Sequence, residues 1–187
     1  MDFDSSASDG GAGWDGSGCV DEDGDGFGVG CAAGPDCDDG ARGVRGPCRD
    51  DGCPQGWVLV SGGTFSMGCS QGDLCWRQES AEAPRHEVTL PAFCVERFEV
   101  PLEDYRSCLN DGVCAVEPLT SQDDDFCNWS STPGGNELHP INCISWSAAR
   151  SYCQGWMGGD LLSEAEWEMA ARGTQALVYP WGDTPEP

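Results

Sequence analysis

Asp21, Asp23 and Asp25 alternate with Glu22, Gly24 and Gly26, a spacing that lets three carboxylates point at one centre. The run matches the first half of an EF-hand loop. There, alternating acidic side chains offer oxygens to Ca²⁺ and a glycine at the sixth position permits the sharp turn. The backbone carbonyl of Phe27 adds a further oxygen in that pattern. The second half departs from it: Ala32 stands where a bidentate Glu belongs, and no helical periodicity flanks the run. Ca²⁺ takes roughly six to eight oxygens, and Asp36, Asp38 and Asp39 follow just beyond Cys31. The expected site is therefore Ca²⁺ held by Asp21, Asp23, Asp25, Asp36, Asp38 and Asp39. The alternative is a solvated acidic linker.

Cysteine is the second chemically telling residue. The chain carries 13 cysteines in 187 residues, a density of disulfide-stapled proteins outside the reducing cytosol. Zinc sites show paired C-x-x-C knuckles or Cys/His clusters. No C-x-x-C occurs here, and His86 and His139 lie far apart. An odd count leaves at least one cysteine without a partner inside the chain.

The formal charge is −24, and all nine basic residues are Arg. Nucleic-acid and anionic-membrane binding need a basic footprint, so both are excluded as expectations, and cations are favoured instead. No apolar run approaches the roughly 20 residues of a membrane-spanning helix. The first residues, Met1-Asp2-Phe3-Asp4, show no basic start and no apolar stretch of a secretory leader. Since the cysteines point to an extracellular, periplasmic or cell-surface location, the true start is expected upstream or a leader already removed.

Residues 1–18 are Gly, Ser, Ala and Asp with almost nothing to bury, and read as a disordered linker. Residues 19–54 hold the acidic run and five cysteines without periodicity, so cross-links or metal must give them shape. From Trp57 onward regular elements appear. Trp57–Val60 reads as a strand, Ser61-Gly62-Gly63 as a tight turn and Thr64–Gly68 as the hairpin partner. Extended chain follows at 86–90 and 93–100. Pro101 fits the first position of a helix carrying Tyr105, Cys108 and Leu109 and ended by Gly112, and a local Cys108–Cys114 disulfide is plausible there. Residues 115–138 read as a long surface loop. In it Asp123-Asp124-Asp125 is a solvated turn, with a second cation site as the alternative. Ser145 caps a helix carrying Trp146, Ala149, Cys153 and Trp156. Ser163-Glu164-Ala165-Glu166 is a capping box, opening a helix with Trp167, Ala170 and Ala171 on one face and Gly173 at its end. Strands followed by helices predict an α+β domain. The tryptophans 146, 156, 167 and 181 are expected in the core, Glu164 and Glu168 on an exposed helix face, and both histidines in structural roles.

Several of these stretches, in order, resemble the formylglycine-generating-enzyme (sulfatase-modifying factor) family. They are Gly62-Gly63-Thr64-Phe65-Ser66-Met67-Gly68, the run Glu82 to Leu90, Glu99-Val100 with Tyr105, and His139 to Trp146. The most specific is Ser163 to Gly173, followed by Tyr179-Pro180-Trp181-Gly182. The resemblance covers 57–187. The acidic stretch, in turn, resembles the short metal-binding repeats of bacterial surface proteins. That second resemblance implies a calcium-stabilised spacer closed by Cys31–Cys37.

The family resemblance implies an irregular α+β fold related to C-type lectins. It also implies oxidation of a protein cysteine to formylglycine with O₂ and a copper ion held by a cysteine pair. In the family that pair lies in the second half of the domain, so the resemblance implies no catalytic or copper-binding residue within this chain. The expectation is an incomplete domain, inactive by itself, whose Cys153 pairs with the missing half. Its partner is a protein or peptide substrate, and its oligomeric state is left open. Two departures stand out. Asp160 replaces a usual Arg, removing a charge that would anchor the loop before Ser163, and Pro101 replaces a usual Thr. The alternative function is a non-catalytic, lectin-like binding module on a calcium-stabilised stalk. A third possibility is a truncated relic without an independent fold.

Overall fold

The computed structural model describes residues 19–33, 35–38, 40–69, 82–114, 126–175 and 177–184. The linker at 1–18, Asp39 and the triple aspartate at 123–125 lie outside the described residues. The described residues form four short strands and three helices: β1 (Trp57–Val60), β2 (Gly63–Met67), β3 (His86–Leu90), β4 (Phe93–Glu96), α1 (Leu102–Asn110), α2 (Trp146–Gly155) and α3 (Glu164–Arg172). The architecture is α+β. The chain divides into two compact units, Met1–Trp57 with Glu96–Asp160, and Val58–Val95 with Leu161–Pro187.

The first unit is built on cysteines and aromatic rings. Ala41 and Val44, from the acidic stretch, are buried with Tyr105 and Cys108 of α1, Tyr152 of α2, Trp156 and Met157. Tyr105 and Tyr152 stack with centroids 5.7 Å apart. The Gly43 N–H donates to the Trp156 carbonyl at 2.7 Å. Any side chain at Gly43 would run into Met157 and the Trp156 ring, so the acidic stretch docks here only through a bare backbone. Disulfides join Cys19–Cys31, Cys37–Cys48, Cys108–Cys114 and Cys127–Cys143. The local Cys108–Cys114 bridge is as expected, but the Cys31–Cys37 closure is not. Val20 pairs with Val29 across the acidic turn, which carries Cys19 to Cys31 and leaves Cys37 for Cys48.

Pro101 is the N-cap of α1 rather than its first helical residue, in extended conformation with φ −71° and ψ 154°. Leu102, Tyr105 and Cys108 form the buried stripe of α1, and Gly112 follows the C-cap at φ +73°. The long loop before α2 is tied back to α1. Arg106 donates two parallel bonds to Glu137, at 2.9 and 3.0 Å, and its guanidinium lies 4.5 Å over the Trp129 ring. In α2, Ser145 caps as expected, accepting from the Ala148 N–H at 3.1 Å. The buried face runs through Ala148 and Tyr152, not through Trp146 and Ala149. Trp146 is thereby turned outward, 67% exposed, with Arg150 over its ring at 5.3 Å. Asp160, the acidic residue expected to loosen its loop, is held instead. Arg150 donates to both its oxygens, and Gln154 adds a third bond at 2.9 Å.

In the second unit, β2 and β3 pair antiparallel with Gly63 opposite Leu90 and Met67 opposite His86, while β1 pairs with β4. The expected β1–β2 hairpin therefore does not form. A side chain at Gly62 would strike the backbone of Leu90, Pro91 and Ala92. The double glycine marks a close chain crossing, which in a sequence looks like a turn. The Thr64 and Thr89 hydroxyls meet across the ladder at 2.7 Å. Ser163 and Glu166 complete the capping box on α3. Met169 is the buried residue of that helix, and Trp167, about 200° around it, is 65% exposed. Trp181 is 51% exposed and stacks on Tyr179 at 5.4 Å. Of the four tryptophans expected in the core, Trp156 alone is buried.

Candidate metal centre

The acidic turn of the first unit is folded by its own carboxylates. Asp21 accepts from the N–H groups of Gly24 at 2.6 Å and Gly26 at 2.9 Å. Asp23 Oδ1 accepts from the Asp25 N–H at 3.0 Å, and Asp25 Oδ1 from the Phe27 N–H at 2.8 Å. Gly24 and Gly26 sit at φ +80° and +96°, the left-handed region that glycine enters without strain. One ligand oxygen from each of Asp21, Asp23 and Asp25 lies within 4.8 Å of the others.

Asp23 is the centre of this group. It is 9% exposed, and its Oδ2 is buried with no hydrogen-bond partner. Burial pushes its carboxyl up to about 6, against a pull from the Asp25 N–H, and the charges of Asp25, Asp36 and Asp21 push the same way as burial. A buried carboxylate facing like charges is costly unless a cation joins it. The donor set fits a hard, oxygen-seeking cation.

The remaining expected ligands differ in placement. Asp36 accepts from the Cys37 N–H at 2.6 Å and stands close enough to Asp23 to raise its proton affinity. Asp38 accepts from the Gly40 N–H at 3.3 Å and packs beside Gly158, outside the group of three. The guanidinium of Arg45, which no motif singled out, places Nε 3.5 Å from Asp25 Oδ2, whose side chain is 1% exposed.

A cavity of about 500 Å³ opens in the same unit, lined among others by Arg45, Trp57, Glu96, Asp104, Tyr152 and Trp156. Glu96 is pushed up to about 7, first by burial and then by Asp104. Asp104 is shifted upward by burial and by Glu103, with Arg45 partly opposing. Burial, then Glu96 and Asp104, hold the Tyr152 hydroxyl well above its ordinary range. A carboxyl so placed is poised to exchange a proton near neutrality. The available signal was one Glu ending the apolar run Phe93-Cys94-Val95, which spacing arguments pass over.

In the second unit Glu168 is not on an open helix face. Its side chain is 15% exposed, accepts from the Gly68 N–H at 3.0 Å and pairs with Arg172, which also donates to the Leu177 carbonyl. Glu166 serves the capping box, as expected. His86 is exposed, and its Nδ1 lies 3.0 Å from the Pro84 carbonyl oxygen.

Copper held by two cysteines finds no fit among the described residues. Cys153 is the free cysteine there, and Cys53, Cys69 and Cys94 are disulfide-bonded like the eight in the four bridges above. The disulfides fit an oxidising environment. No helix among the described residues is long and apolar enough to cross a membrane.

Residues 48–187 match the sulfatase-modifying factor enzyme 1-like domain. The chain is 30% identical over 163 residues to a formylglycine-generating enzyme of Thermomonospora curvata, covering 69% of this chain and 53% of that protein. It is 29% identical over 165 residues to inactive C-alpha-formylglycine-generating enzyme 2 of Bos taurus, covering 70% and 53%. It is also 31% identical over 142 residues to serine/threonine-protein kinase Pkn1 of Chlamydia trachomatis, covering 67% and 21%. The chain thus spans about half, or less, of the relatives it matches. With the domain match covering most of its length, this chain belongs to the sulfatase-modifying factor enzyme 1-like domain family.

Proposed function

We propose that this chain is a calcium-ordered, disulfide-stapled scaffold portion of a formylglycine-generating-enzyme-like protein working at the cell surface, in the periplasm or outside the cell. Its fold is the irregular, C-type-lectin-like one of that family. The acidic loop binds Ca²⁺ through Asp21, Asp23 and Asp25, with Asp36 adding charge. One observation carries the metal assignment: Asp23 Oδ2 is buried among carboxylates without a hydrogen-bond partner. Ca²⁺ would supply the missing positive charge and fix the turn, leaving the reactive chemistry to other residues. The oxidation of a protein cysteine that the family resemblance implies is assigned to segments other than those described.

A second reading is a non-catalytic module that binds a protein or peptide. It is favoured by the outward tryptophans 146, 167 and 181 and by the relative named inactive.

The test is terbium luminescence and Ca²⁺ calorimetry on the disulfide-intact chain, beside an assay with a Cys-x-Pro-x-Arg peptide, copper and O₂. Saturable, calcium-competed terbium binding without peptide turnover is expected. Absence of that binding sinks the metal site, and turnover of the peptide sinks the assignment of chemistry to other segments.

A further inference from the structure

We infer that Arg45 is the internal counter-ion of the calcium loop and sets its affinity, exchanging Asp25 for Asp104 when Ca²⁺ arrives. The inference rests on the calcium reading above. Asp25 Oδ1 accepts from the Phe27 N–H, whereas Oδ2 is buried and accepts no hydrogen bond, so Oδ2 is the oxygen with most to offer a metal. That oxygen faces Arg45 Nε at 3.5 Å. A guanidinium and a divalent ion cannot share one buried oxygen without strong repulsion. Ca²⁺ at the Asp21–Asp23–Asp25 group therefore drives Arg45 away from Asp25. The side chain of Arg45 is 55% exposed. It already lines the cavity that holds Asp104 and Glu96, so a second pair of carboxylates receives it. Burial and then Asp104 raise the proton affinity of Glu96, burial and then Glu103 raise that of Asp104, and Arg45 already relieves part of it at Asp104. The loop and the cavity are thereby linked through one side chain, and linkage of this kind is reciprocal.

The experiment is a thermodynamic cycle on the full disulfide-intact chain, reading the Ca²⁺ dissociation constant by calorimetry for wild type, Arg45→Gln, Asp104→Asn and the double variant. Arg45→Gln is expected to tighten Ca²⁺ roughly three- to tenfold, as removal of a partly exposed competitor should. Asp104→Asn is expected to weaken it about threefold in the wild-type background and not at all beside Arg45→Gln. Unchanged affinity in Arg45→Gln overturns the competition. An equal effect of Asp104→Asn in both backgrounds overturns the exchange and leaves only direct attraction between Asp104 and Ca²⁺. Wild type that binds no Ca²⁺ refutes the metal site itself, a different outcome from either. Arg42→Gln, whose guanidinium pairs with Asp111 at 3.6 Å, controls for loss of any nearby positive charge.

Discussion

Asp23, in a tight turn, and Glu168, on helix α3, are both shielded carboxylates, yet the two regions treat them in opposite ways. Around Glu168 the protein provides every counterpart: the Gly68 N–H, the Arg172 guanidinium and the helix that aligns them. Around Asp23 it provides one backbone N–H and three more carboxylates. A charge that the chain answers itself holds the fold together. A charge that it leaves unanswered asks for something from solution.

The sharpest way to break this comparison is Asp23→Asn. It should lower Ca²⁺ affinity about 100-fold, since a central charged oxygen is lost, while leaving the metal-free fold as stable or slightly more so. Calorimetry with and without chelator reads both, and intact affinity would mean Oδ2 is no ligand. Glu168→Ala should do the reverse. It strands a shielded Arg and an N–H, costing about 2 kcal/mol in urea unfolding, with no change in Ca²⁺ binding.

Acidity separates Asp23 further. The folded state raises its carboxyl from 3.8 to about 6, so the folded chain holds a proton that the unfolded chain has released between those values. Without Ca²⁺, this group makes stability fall as pH rises from about 4 to about 6, with the full penalty present above that. Melting curves of wild type minus Asp23→Asn isolate that slope, and saturating Ca²⁺ should remove it. Smaller still, Ser163→Ala should cost about 1 kcal/mol by opening the capping box. Arg150→Ala, at an exposed pair, should leave urea unfolding essentially unchanged.

Local rules were legible in the sequence and distant pairings were not. The caps at Ser145 and Ser163, the helices they open, and the acidic turn follow from neighbouring residues, and all three stand in the structure. The β2–β3 pairing, Cys19–Cys31 and the role of Glu168 depend on segments 12 to 100 residues apart. Gly62-Gly63 was ambiguous because a turn and a close crossing make the same demand for a missing side chain. Trp146 and Trp167 were misplaced because bulk and apolarity argue for burial, while the helical phase set by Tyr152 and Met169 decides it. Arg45 carried no signal, since a competitor for a ligand oxygen has no motif.

Cys153 gives the first unit an unusual safeguard. It is the free cysteine among the described residues, half-buried, its thiol pushed upward by burial and by the negative charges of Glu96 and Asp160. Thiolates, not thiols, attack disulfides. Burial first, and then the two carboxylates, favour the protonated sulfur in the folded chain, the form that does not attack neighbouring disulfides.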